Sequence, residues 1–127
     1  MEETLVALLL NDPGVSMAAD KRVHWSEREQ GEGFPAVVLN RISGGRDYHM
    51  EGASGLVQSR IQADCWALTY KDALKLSRAV RGALSGYQGG QMQGAFIEAE
   101  RQSVEKEADG AQRYFRVSLD FMIWHAE

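Results

Sequence analysis

Arg60-Ile61-Gln62-Ala63-Asp64-Cys65-Trp66-Ala67-Leu68-Thr69-Tyr70-Lys71-Asp72-Ala73 decides how this chain is read, because two different periods meet inside it. Up to Ala67 the pattern repeats every two residues. Within Val57–Ala67, the residues Val57, Ile61, Ala63, Cys65 and Ala67 fall on one side, and Gln58, Arg60, Gln62 and Asp64 on the other. Such alternation describes a strand with one face on a core and the other toward water or a wet interface. From Thr69 onward the period becomes helical. Thr69 is a good N-cap, and Asp72 three residues later completes a capping-box spacing that satisfies otherwise orphaned N–H groups. Tyr70, Ala73, Leu74, Ser77, Val80 and Leu84 recur at helical spacing, with Leu76 and Ala83 widening the stripe. Arg78 and Arg81 suit the C-terminal end of the helix dipole, and Gly86 is a natural stop. The expected helix therefore covers Thr69–Ser85.

Working outward, Ala36–Ile42 is rich in Val, Leu and Ile and fits a buried strand opened by Pro35, which needs no ladder bond at a strand start. Ser43–Gly55, with four glycines, reads as a long hairpin loop, and Gln30–Gly33 as another loop. Glu2–Leu10 is a short helix ended by Asn11-Asp12-Pro13-Gly14, followed by a helical turn at Val15–Ala19 and a short strand at Arg22–Trp25. Gly94–Val104 and Gln112–His125 pair as antiparallel strands around a charged turn at Glu107–Gly110. In the last strand Phe115, Val117, Leu119, Phe121 and Ile123 form one apolar face. Opposite them, Arg116, Ser118 and Asp120 are polar, but Met122 and Trp124 are not. The run Phe121–Trp124 is thus apolar on both faces, so a helix or another subunit must cover the second one. Without regular strand–helix–strand alternation, the fold class is α+β: one domain over residues 1–127, with a largely antiparallel sheet of four to five strands. That sheet packs against one main helix plus a short N-terminal helix.

A chain of 127 residues forms one core, and 44% apolar with 25% charged residues is an ordinary globular balance. No run approaches the roughly 20 apolar residues of a membrane span, and Glu2 and Glu3 are wrong for the start of a signal peptide. With 14 Lys+Arg against 18 Asp+Glu the net charge is −4, which argues against nucleic acid as the main partner. One cysteine, Cys65, makes no internal disulfide and suits the cytoplasm or a particle assembled there.

Candidate chemistry is thin. Cys65 shares the inward parity of Ile61 and Ala63, where free cysteine behaves as a small hydrophobe. His24, His49 and His125 lack zinc-ligand spacing and read as surface or loop-anchoring residues. The glycines around Gly44-Gly45 join strands and open no helix, so they cradle no phosphate. Glu98 and Glu100, two apart, fall on the solvent side of a strand, with Ile97 and Ala99 inward. No catalytic residue, metal ligand or cofactor is expected. What remains is surface suited to protein partners: Trp66, Met122 and Trp124 at outward positions, and Arg46, Tyr48 and His49 in the glycine-rich loop.

Taken in order, several segments resemble one family. These are Pro35-Ala36-Val37-Val38-Leu39, the glycine-rich loop, Arg60–Ala67 flowing into Thr69-Tyr70-Lys71-Asp72-Ala73, and the closing Tyr114–Trp124. The chain resembles the tail completion, or tail terminator, proteins of long-tailed bacteriophages, prophages and phage-derived gene transfer agents. The likeness runs over nearly the whole chain, and its most specific part is the segment from Arg60 to Tyr70. It implies a structural subunit, not an enzyme, that forms a ring, expected to be a hexamer, at the head-proximal end of the tail tube. Implied partners are further copies of itself, the tail tube protein and the head–tail connector protein, with DNA only as passing cargo and no membrane. The implied location is the head–tail junction of a virion or phage-like particle assembled in the bacterial cytoplasm. Two other readings compete: a head–tail connector or neck protein, and a monomeric sheet domain that binds a small ligand or peptide on the Trp66 face.

Overall fold

The computed structural model describes residues 2–26, 33–44, 56–85, 87, 92–106 and 113–126. Along the chain these form α1 (Glu2–Asn11), α2 (Pro13–Ala19), β1 (Val23–Trp25), β2 (Ala36–Gly44), β3 (Leu56–Ala67), α3 (Tyr70–Leu84), β4 (Met92–Lys106) and β5 (Arg113–Ala126). The strands make one five-stranded sheet in the order β1-β2-β3-β5-β4, parallel only between β1 and β2. This is the expected α+β architecture, with two short N-terminal helices where the sequence suggests one helix and a helical turn.

The break between α1 and α2 has a local cause. Pro13 cannot continue α1 but suits the first position of α2, and the Asp12 carboxylate accepts the Val15 N–H at 3.0 Å as its cap. Gly14 then faces a tight contact. A Cβ there would sit 3.3 Å from that of Ala79, so α2 lies close against α3. Arg22 ties the start of the sheet together: its Nε donates to the Pro35 carbonyl at 2.7 Å, and its carbonyl accepts the Val37 N–H at 2.9 Å.

Thr69 caps α3 as its sequence indicates, its hydroxyl accepting the Asp72 N–H at 3.1 Å. The buried side of α3 is Ala73, Leu76, Ser77, Val80 and Leu84. Tyr70, counted in the stripe, is instead 45% exposed at its rim, its ring edge-on to Phe115. The helix lies across β3 and β5 and meets Ile61, Ala63, Cys65, Ala67, Val117, Leu119, Phe121 and Ile123, all buried. Leu5, Leu9, Val15 and Ala19 from α1 and α2 extend the same cluster, so the three helices share one face of the sheet. None of them is long and apolar enough to cross a membrane.

Three sequence expectations need correction. Ser43 and Gly44 continue β2 past a bulge, pairing with Arg60 and Ser59, so the strand runs into the segment read as a loop. A second bulge between Ile97 and Ala99 shifts the register of β4. Ala99 then pairs with Asp120, and Glu100 with Leu119 on the helix face, where it forms an ion pair with Arg81 of α3; Glu98 keeps to the other face with Arg60. Both glutamates are exposed, as a two-residue period reads them, but one extra residue in the strand puts them on opposite faces and takes Ala99 off the inward side. Finally, His125 is no surface histidine: it is buried, and its Nε2 lies 2.8 Å from the Ser59 hydroxyl across the β3–β5 pair. The loop at Gln30–Glu32, the remainder of the glycine-rich loop at Gly45–Gly55, the stop at Gly86 and the turn at Glu107–Gly110 lie outside the described residues.

Candidate functional site

With the helices on one side, the opposite face of the sheet carries no helix among the described residues. Its composition follows from register, since directly paired residues point the same way. Across the strands run the rows Ala36–Trp66–Arg116–Ser103, Val38–Asp64–Ser118–Arg101 and Asn40–Gln62–Asp120–Ala99. Further along lie Arg60–Met122–Phe96 and Gln58–Trp124–Gly94.

The middle of this open face is a polar network. Ser118 donates to Asp64 at 2.5 Å, and the Gln62 amide donates to both Asp64 oxygens at 2.9 and 3.2 Å. Arg101 grips Asp120 with two nitrogens at 2.8 and 3.1 Å and reaches the Gln62 carbonyl oxygen at 3.3 Å. The Asp120 carboxylate raises the Arg101 pKa further above its usual range through hydrogen bonding and charge. Asp64, Ser118 and Asp120 are nonetheless 5%, 3% and 8% exposed. Such burial is tolerated because each group is bonded.

Apolar groups flank the network at both ends. At one end Phe96, 52% exposed, stands beside half-buried Met122 and Trp124. Gly94 makes room for it, since a Cβ there would come within 2.9 Å of the Phe96 ring. At the other end Trp66 carries the Arg116 guanidinium 5.2 Å above its ring, and Arg116 also lies 3.5 Å from Glu105. Beside Trp66 opens a cleft of about 370 Å³ lined by Ser26, Phe34, Val38, Asn40, Asp64, Trp66 and Tyr114.

Of the six interface candidates read from sequence, Trp66, Met122 and Trp124 share this face. It does not bring them into one patch. Trp66 and Trp124 pair with β5 and β3 residues eight positions apart, about 27 Å at ~3.4 Å per residue. Arg46, Tyr48 and His49 lie outside the described residues. Sequence reasoning overlooked Phe96, although its place next to inward Ile97 already gives it outward parity. It also overlooked Phe34, Tyr114 and the Asp64–Ser118 and Arg101–Asp120 pairs, which only the strand register reveals.

Cys65 is fully buried on the helix side, and burial, helped by the charges of Asp64 and Glu100, pushes its thiol pKa far up. The thiolate needed for nucleophilic chemistry is therefore strongly disfavoured there. Among the described residues no three His, Cys, Asp or Glu side chains cluster closely enough to hold a metal ion.

Comparison with curated proteins gives no match. The fold is similar to that of a solved chain from the virion of a native gene transfer agent (GTA) particle. The TM-score is 0.77 at 15% identity, covering 97% of this chain and 92% of that one. At such identity the likeness concerns the fold. The family model described as tail completion protein gp17 matches residues 3–126, nearly the whole sequence. The chain belongs to the tail completion protein gp17 family.

Proposed function

We propose that this chain is a structural subunit of a phage-like particle whose copies close into a ring, a hexamer, terminating the tail tube at its head-proximal end and joining it to the head. Family membership supports the structural role in a tail. The observation that carries the assembly reading is the apolar group Phe96, Met122 and Trp124 on a sheet face that no helix covers among the described residues. A closed ring requires a heterologous contact, in which two different patches of each subunit meet. This aromatic group, near the β4 edge of the sheet, supplies one such patch, because buried aromatic anchors dominate interface energetics. The tail tube protein and the head–tail connector are the neighbours along the axis. DNA passes through as cargo, and a net charge of −4 gives the ring no general grip on phosphates. The role needs no catalysis, in keeping with a Cys65 thiol shut inside the core.

The test is a charge placed in the patch. Phe96→Asp changes the most exposed member, so the fold survives while a carboxylate facing a neighbour stays unpaired. The variant, and likewise Trp124→Asp, is expected to keep the wild-type circular dichroism spectrum and to fail to cap tail tubes in an assembly reaction. Normal capping by both folded variants removes this patch from the subunit contact.

A further inference from the structure

The cleft beside Trp66 has a chemistry of its own. Three aromatic rings border it: Phe34 and Tyr114, with centroids 5.2 Å apart and tilted by 38°, and the Trp66 indole. Among the described residues, the one charged group lining it is Asp64. Among the described residues, the side chains that hydrogen-bond to Asp64 are Gln62 and Ser118, both neutral, and together they use three acceptor positions of a carboxylate that offers about four. The guanidinium that joins this network, Arg101, is held bidentately by Asp120. Asn40 and Ser26 add neutral acceptors around the rim. Aromatic walls over a carboxylate attract a cation through both the ring quadrupoles and direct charge. Arg116 already shows the geometry from outside the cleft, stacked over Trp66 with its charge answered by Glu105.

We infer that this cleft receives an arginine side chain presented by a neighbouring protein chain, with the guanidinium stacked against the aromatic rings and donating to Asp64. Arginine fits better than lysine. Its planar, weakly hydrated head stacks on rings and keeps several donors for Asp64 and Asn40, whereas an ammonium must shed tightly held water. A purely apolar group leaves the buried charge of Asp64 without its remaining partner. The inference does not depend on ring closure, since Phe34, Asp64, Trp66 and Tyr114 all belong to one subunit.

Binding is read on the full-length isolated subunit with three blocked tripeptides, Gly-Arg-Gly, Gly-Lys-Gly and the neutral citrulline analogue of the first. The probe is the Trp66 indole N–H in proton–nitrogen spectra, assigned through Trp66→Phe. The arginine peptide is expected to shift this signal saturably, the lysine peptide more weakly and the citrulline peptide not at all. Asp64→Asn, which keeps an acceptor for Ser118, should weaken the arginine peptide about tenfold or more, as loss of a charged hydrogen-bond partner does. Tyr114→Leu, at the half-buried rim, should weaken it about fivefold by loss of stacking, and decides the matter if the Asp64 variant does not fold. Equal binding of the arginine and citrulline peptides, undiminished binding by a folded variant, or no Trp66 shift with any peptide overturns the inference. Because no assembly step is involved, failure here leaves the ring proposal standing, and failure of the ring leaves this result readable.

Discussion

Truncating Leu76 to alanine removes three carbons from a side chain with no exposed surface, held between α3 and the sheet. At about 0.8 kcal/mol per buried methylene, the transfer loss alone is about 2.4 kcal/mol. The site cannot collapse freely, because Ile61, Ala63, Phe121 and their neighbours are fixed by strand pairing, so a cavity contribution brings the cost to about 3 kcal/mol. Unfolding entropy of ~2.1 cal/mol/K per residue over 127 residues converts this into a fall in midpoint of about 10 °C. Val80→Ala, losing two carbons from an equally buried position on the same stripe, should cost about 2 kcal/mol. Lys75→Ala, on the exposed side of the same helix, should stay within about 0.5 kcal/mol. Urea and thermal melts followed by circular dichroism measure all three. A Leu76→Ala midpoint indistinguishable from that of Lys75→Ala would refute the packing of α3 as the centre of the core.

Other outcomes follow from single contacts. Cys65 should resist a thiol reagent at neutral and mildly alkaline pH, since its raised pKa keeps it protonated there, and should react at once after unfolding; rapid native labelling contradicts its burial. Thr69→Ala should destabilise by about 1 kcal/mol through loss of the α3 cap, while Thr69→Ser retains most of it, as chemical denaturation will show. Ser59→Ala leaves His125 without its 2.8 Å partner and should cost about 1 kcal/mol, whereas a neutral result means that the bond is replaced from elsewhere.

The central strand and helix are legible in the sequence because each obeys one period without interruption: alternation through Cys65, then the capped stripe from Thr69. The last strand is legible for the same reason, and its double-sided apolar end puts Met122 and Trp124 on the face away from Phe121 and Ile123, where the strand register also places them. What escapes is whatever depends on pairing. The bulge after Ile97 is one extra residue without a local signature, yet it sends Glu100 to the helix side and Glu98 away from it. His125 resembles a chain-end histidine until Ser59 is placed across from it. Asp64 and Asp120 read as solvent-facing because sequence shows their parity but not their partners. Ser118 and Arg101 reach them only through register, Ser118 from 54 positions away and Arg101 from 19. The cleft joins Phe34, Trp66 and Tyr114 from three separate segments, so no motif announces it.

The most direct test of the account is cryo-electron microscopy of purified phage-like particles carrying this chain, with the tail's head-proximal end reconstructed. A single closed ring of six copies is expected between tail tube and head, each five-stranded sheet turning its Phe96–Met122–Trp124 face against the adjacent subunit. Tails that end at the head without any copy of this fold, or that carry isolated copies with that face bare to solvent, would contradict it.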